Sequence, residues 1–103
     1  MPESRTEFEW DAAKAQANAQ KHGVTFPEAS TAFSDPLAAV LTDDDHSDDE
    51  TREILIGVSE RGRLLIVSFT ERDGKLRIIS ARAATPGERR KHEDNPMGGF
   101  RDE

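Results

Sequence analysis

Residues 54–81, ILIGVSERGRLLIVSFTERDGKLRIISA, decide the fold. Ile54–Val58, Leu64–Thr70 and Leu76–Ala81 are apolar, β-branched runs of strand length. Glu60-Arg-Gly62 and Arg72-Asp-Gly74 separate them, with spacings that suit tight hairpins. Runs joined this closely pair antiparallel, because a parallel return needs a crossover of a dozen residues or more. Upstream, Pro36–Thr42 (PLAAVLT) is a further short run, giving a meander of about four strands.

Before the meander the period is helical. Phe8-Glu-Trp10 suits a short strand, and Asp11 is a good N-cap for a helix over Ala12–His22 that Gly23 stops. Lys21 and His22 fall in its last turn, where cations complement the helix dipole. Thr25-Phe-Pro-Glu28 has capping-box spacing with proline in the first turn, and Phe26, Ala29 and Phe33 share one face of a second helix. Asp35-Pro36 ends it. After the meander, Thr85-Pro-Gly-Glu88 repeats that grammar and opens a short helix to about Asp94. The fold class expected is α+β, with two N-terminal helices packed on an antiparallel meander sheet of about four strands and then a short C-terminal helix. Residues 1–94 are expected to form one domain and residues 95–103 a flexible tail. Trp10 and Phe26 read as core residues.

The 103 residues are 34% hydrophobic and 34% charged, enough for one domain with a modest core. There is no cysteine, which rules out disulfides and thiolate metal sites. No apolar run reaches membrane-spanning length, and the start, Met-Pro-Glu-Ser-Arg, lacks a signal-peptide core. A cytoplasmic protein with no membrane partner is expected.

The net charge of −7 is unevenly spread. Residues 1–50 hold three Lys/Arg against twelve Asp/Glu, whereas Arg61–Glu93 holds nine against four. An acidic body with a basic patch disfavours tight non-specific nucleic-acid binding, which needs many phosphate contacts, but suits a compact anion site.

The basic residues sit where a site could be. Arg77 and Arg82 lie in the last strand, Arg72 at the hairpin before it, and Arg89, Arg90, Lys91 and His92 in the helix after it. Arginine's planar fork matches phosphate, and the helix start at Thr85 presents free N–H groups. Arg77 and Arg82 have opposite parity, so they point to opposite faces unless a bulge or strand end lies between them. The plain alternative is ion pairing on a solvated sheet face. A second constellation, Asp43-Asp-Asp-His-Ser-Asp-Asp-Glu50 followed by Arg52, lacks the glycine and closing glutamate of a calcium loop. It reads as a solvated loop and not a metal site, or as the source of His46 and Glu50 as proton-transfer groups beside the basic face. Lys14, in the first turn of the first helix, opposes the dipole there.

Several blocks together resemble a known family. They are Phe8-Glu-Trp-Asp11 with Lys14, Asn18 and Lys21-His-Gly-Val24; Phe26, Glu28-Ala29 and Phe33-Ser-Asp35; His46-Ser47, Glu50 and Arg52; Ile56-Gly57, Val67 and Thr70-Glu-Arg72; and Arg77-Ile-Ile-Ser-Ala-Arg82, Ala84-Thr85 and Glu88-Arg89. In this order, over roughly residues 8–93, the chain resembles the BrnT family of type II toxins, ribonucleases with a RelE-like fold. The resemblance implies a site on the sheet face near the C-terminal helix. It also implies a cognate antitoxin of ribbon-helix-helix type (BrnA-like), with operator DNA bound only through that antitoxin. Members commonly carry an aromatic residue where this chain has His92.

The chemistry expected is metal-independent RNA cleavage without a cofactor, by 2′-hydroxyl attack on the adjacent phosphate. Arg72, Arg77 and Arg82 would stabilise the phosphorane charge, and the acid and base would come from His46, Glu50 and His92. Arg52, Arg89, Lys14 and Lys21 would bind RNA. The competing expectation is a non-enzymatic module that binds a DNA-binding antitoxin and acts as a transcriptional autorepressor. Its support is the acidic N-terminal half, a ready surface for a basic partner.

Overall fold

The structure is a computed structural model that describes residues 6–43 and 52–94. Its elements are β1 (Phe8–Glu9), α1 (Ala12–His22), α2 (Phe26–Thr31), a 3-10 turn over Ala32–Ser34, β2 (Ala39–Asp43), β3 (Arg52–Val58), β4 (Leu64–Arg72), β5 (Lys75–Ala83) and α3 (Pro86–Asp94). The expected tail, residues 95–103, lies outside the described residues.

The caps follow local chemistry. Asp11 accepts the Ala13 N–H at 2.9 Å, and Gly23, at φ 70°, closes α1 by donating to Ala19 O. Thr25 accepts the Glu28 N–H at 3.2 Å, yet only this half of the expected capping box forms. The Glu28 carboxylate turns away to the β3–β4 hairpin, where Ser59 Oγ donates at 2.7 Å and Arg63 Nε at 3.0 Å. Glu28 is 4% exposed, and those donors hold its pKa below the ordinary value, the Arg63 hydrogen bonds most of all. Asp35 ends the turn after α2 by accepting the Leu37 and Val58 N–H groups at 3.0 and 2.8 Å. That turn delays β2 to Ala39, three residues later than its sequence suggests.

The sheet order is β1-β5-β4-β3-β2. Strands β2 to β5 pair antiparallel as the hairpin turns require. The β4–β5 turn is Asp73-Gly74, both at positive φ (55° and 79°), the backbone that Asp-Gly accommodates best. The expected four-stranded antiparallel sheet is corrected in one respect. β1 joins as a fifth strand, parallel to β5, with Phe8 opposite Leu76 and Glu9 opposite Arg77. No hairpin ties β1 to its neighbour, so local sequence leaves its direction open and packing sets it.

Helices α1 and α2 cover one face of the sheet. Val24, Phe26, Ala29 and Ala32 pack on Leu55, Leu65, Val67, Phe69, Ile78 and Ala81. Trp10 meets Phe26 edge-on at 5.9 Å, and Phe33 bridges Phe8 and Phe69 at 5.1 and 5.0 Å. Burying Phe26 alone contributes about 2–3 kcal/mol. The residues of alternate parity belong to the opposite face, which the two N-terminal helices leave open.

Candidate functional site

β5 brings two of the candidate residues together because of one extra residue. Ser80 pairs with Ser68 and Ile78 pairs with the adjacent Phe69, so Ile79 is an insertion in the ladder. This bulge restores the parity of the two arginines. Arg77 lies opposite Thr70, and Arg82 lies opposite Ile66, four residues away on the same strand. Both therefore belong to the open face, five positions apart in sequence but four apart in register. Of the alternatives that parity leaves open, it is a bulge that lies between them.

That face has two cationic ends. At the hairpin end, Arg72 pairs with Lys75, two positions beyond the Thr70–Arg77 pair and therefore of the same parity. Arg52 shares the parity of Ile54, which lies opposite Ser68. At the other end Arg82 meets α3. Four residues of strand place the Arg77 and Arg82 Cα positions roughly 13 Å apart. The hydroxyl residues Ser68 and Ser80 lie between them. A spacing of this size suits two anionic groups of one extended ligand better than a single anion.

Arg77 and Arg82 each have a carboxylate beside them. Arg77 Nη1 donates to Glu9 Oε2 at 3.4 Å, a long contact from the neighbouring strand β1. Arg82 is held much more firmly. Its Nη1 and Nη2 donate to the two Glu88 carboxylate oxygens, each at 2.9 Å, and Nη1 also reaches Ala83 O at 3.3 Å. Glu88 simultaneously completes the second capping box, which here forms in both directions. Thr85 N donates to Glu88 Oε1 at 2.9 Å, and Glu88 N donates to Thr85 Oγ1 at 3.1 Å. The Arg82 hydrogen bonds pull the Glu88 pKa down to about 2, against an opposing effect of burial and with help from Thr85.

Helix α3 also shapes a cavity of about 280 Å³, lined by Asp35, Leu37, Val58, Leu64, Arg89, His92 and Glu93. His92 is 7% exposed there. Arg89 reaches both this cavity and a second depression with Ala84, Pro86 and Arg90.

The residues expected from sequence are thus divided. Arg52, Arg72, Arg77 and Arg82 share the open face, and Arg89 and His92 stand on α3 at its Arg82 end. Lys14 and Lys21 are exposed on α1, which packs on the opposite face, so the fold does not bring them to this cluster. His46 and Glu50 lie outside the described residues. Sequence pattern does not single out Lys75, although its place across a two-residue hairpin from Arg72 follows from the Asp73-Gly74 turn. The sequence marks Asn18 only as part of a family block. The fold gives it a plain task, because β1 is too short to cover the outer edge of β5 beyond Arg77. Asn18, 7% exposed, takes that edge instead. Its Nδ2 donates to Ala81 O (2.8 Å) and Val24 O (2.9 Å), and its Oδ1 accepts from Ala81 N (3.1 Å). A helix is thereby fixed beside the residue that precedes Arg82.

Among the described residues there is no cluster of three or more His, Asp or Glu able to hold a metal ion, and no helix long and apolar enough to cross a membrane. Residues 10–88 match the family described as "Ribonuclease toxin, BrnT, of type II toxin-antitoxin system". The crystal structure of the Brucella abortus ribonuclease toxin BrnT aligns with a TM-score of 0.60 and 26% sequence identity, covering 79% of this chain and 99% of that one. No curated protein matches. The matched segment includes Arg72, Arg77, Arg82 and Glu88 but stops short of Arg89 and His92.

Proposed function

The chain belongs to the BrnT family of ribonuclease toxins of type II toxin-antitoxin systems, and from that membership we propose that it cleaves RNA on the open face of its sheet. The observation that carries this reading is the Ile79 bulge, which turns Arg77 and Arg82 to one face with Arg52, Arg72 and Lys75. A phosphodiester lying along the face would place its non-bridging oxygens against guanidinium groups. Charge that develops on a phosphorane is stabilised by such fixed cations.

The cleavage proposed needs no metal. The 2′-hydroxyl loses its proton to a base and attacks the adjacent phosphorus, the bond to the 5′-oxygen breaks, and an acid returns a proton to that oxygen. The products are a 2′,3′-cyclic phosphate and a free 5′-hydroxyl. Arg77 and Arg82 act on the reacting and neighbouring phosphates, Arg72 and Arg52 extend the contact, and Arg89 holds a phosphate beyond Arg82. The acid and base are drawn from His46, Glu50 and His92. Family membership implies an antitoxin that neutralises the chain, and the acidic N-terminal half suits a basic ribbon-helix-helix partner, through which alone operator DNA is bound.

The test is cleavage of long RNA by the purified chain in the presence of EDTA, with the 3′ ends of the fragments identified. Cyclic phosphate ends are expected, together with loss of cleavage in folded Arg77→Ala. Chelator-sensitive cleavage would overturn the metal-free route. A folded chain that binds its antitoxin but leaves RNA intact would instead identify a partner-binding module.

A further inference from the structure

We propose that Glu88 is a positioning residue for RNA cleavage, holding Arg82 so that one edge of its guanidinium is kept for a phosphate. This rests on the assignment of Arg82 to the site. Arginine has five N–H donors in a planar fork. Glu88 takes the outer pair, one hydrogen each from Nη1 and Nη2, and Ala83 O takes the other Nη1 hydrogen. The Nε hydrogen and the second Nη2 hydrogen remain. They lie parallel on the side edge of the plane, the geometry that grips two oxygens of a phosphate. Among the described residues no hydrogen bond uses them, and the Arg82 side chain is 41% exposed.

The clamp is itself anchored. Glu88 is fixed by the reciprocal capping box with Thr85, so the α3 N-terminus, the carboxylate and the guanidinium plane are joined in one hydrogen-bonded unit. Without Glu88 the side chain of Arg82 keeps its charge but loses its fixed plane. A freely rotating guanidinium still attracts RNA, yet it no longer meets the transition state in a preset orientation. The expected loss is therefore in kcat more than in KM.

Cleavage of an RNA oligonucleotide by Glu88→Ala, Glu88→Gln, Arg82→Ala and the double variant tests this. Glu88→Ala should lower kcat at least tenfold with KM changed less than threefold. Glu88→Gln, which can still accept from Arg82 and cap the helix, should recover part of that loss. The double variant should be no slower than Arg82→Ala, since Glu88 acts through Arg82. A binding measurement checks the same point apart from turnover: the Arg82 Nε–H resonance should shift when a 2′-deoxy, uncleavable analogue binds the parent, and not when it binds Glu88→Ala. The proposal is overturned if Arg82→Ala is inactive while Glu88→Ala keeps its kcat, or if the two losses multiply. Full activity of folded Arg82→Ala would remove Arg82 from the site and overturn both this proposal and that part of the functional reading.

Discussion

Replacing Asn18 by alanine removes three hydrogen bonds at one buried point. They run to Ala81 O, Val24 O and Ala81 N at 2.8, 2.9 and 3.1 Å. Alanine is the better helix former, and that gain is a few tenths of a kcal/mol, too small to compensate. What decides the outcome is that the Ala81 amide and two carbonyls lose their partner where water has little access. At about 1 kcal/mol for each bond, the loss is about 3 kcal/mol, a large part of the about 5–15 kcal/mol available to a domain of this size. Asn18→Ala should therefore lower the Tm by roughly 10–20 °C. Urea unfolding measures the free energy, and hydrogen exchange measures the location, because the Ala81 amide should lose protection before those of β3 and β4. Asn18→Asp adds a sign. It keeps the acceptor for Ala81 N but turns a carboxylate toward two carbonyl oxygens, so it should be less stable at pH 7 than at pH 4. A change under about 0.5 kcal/mol in Asn18→Ala, with Ala81 still protected, would refute the assignment of Asn18 as the cover of the β5 edge.

Three further outcomes follow from particular contacts. In Gly57→Ala a Cβ would stand 2.7 Å from the Ala32 carbonyl oxygen and 3.1 Å from Ala38 Cβ, so the β3–helix contact must move apart at a cost of about 1–3 kcal/mol, read by urea unfolding; parental stability would show that the approach is looser. The Glu88 carboxyl titrates from an ordinary 4.5 down to about 2, so its pairing stabilises fully above about pH 4.5 and is lost as the pH falls toward 2. Both partners are partly exposed, at 41% and 31% of their side-chain surface, so solvent screening leaves about 1 kcal/mol to disappear over that window and to be missing from Glu88→Gln; identical acid profiles for the two proteins would contradict the clamp. In Arg63→Ala the buried Glu28 carboxylate keeps only Ser59 as a side-chain donor, so its pKa should rise, read by carboxyl NMR; an unmoved titration would mean Arg63 is not what holds it low.

Local sequence dictates the parts of this protein that depend on near neighbours. Turn chemistry at Arg72-Asp-Gly74, the β-branched runs and the caps at Asp11, Gly23, Thr25 and Thr85 dictate two helices, a meander and a last helix. The grouping of arginines in one half of an acidic chain, with the Arg77–Arg82 block, points to the family and to the sheet face proposed for the site. Tertiary structure decided what no local rule contains. Strand β1 joins parallel to β5 because nothing in the chain ties its direction to a neighbour, and packing of Phe8 with Phe33 fixes it there. Thr25–Glu28 and Thr85–Glu88 share one capping grammar, yet the first carboxylate is drawn to Arg63 and the second both caps its helix and grips Arg82. Lys14 and Lys21 are basic like the rest, but α1 packs on the far side of the sheet. Parity alone left Arg77 and Arg82 on opposite faces. A single unpaired residue, Ile79, settles the matter, because register is a property of two strands and cannot be read from one.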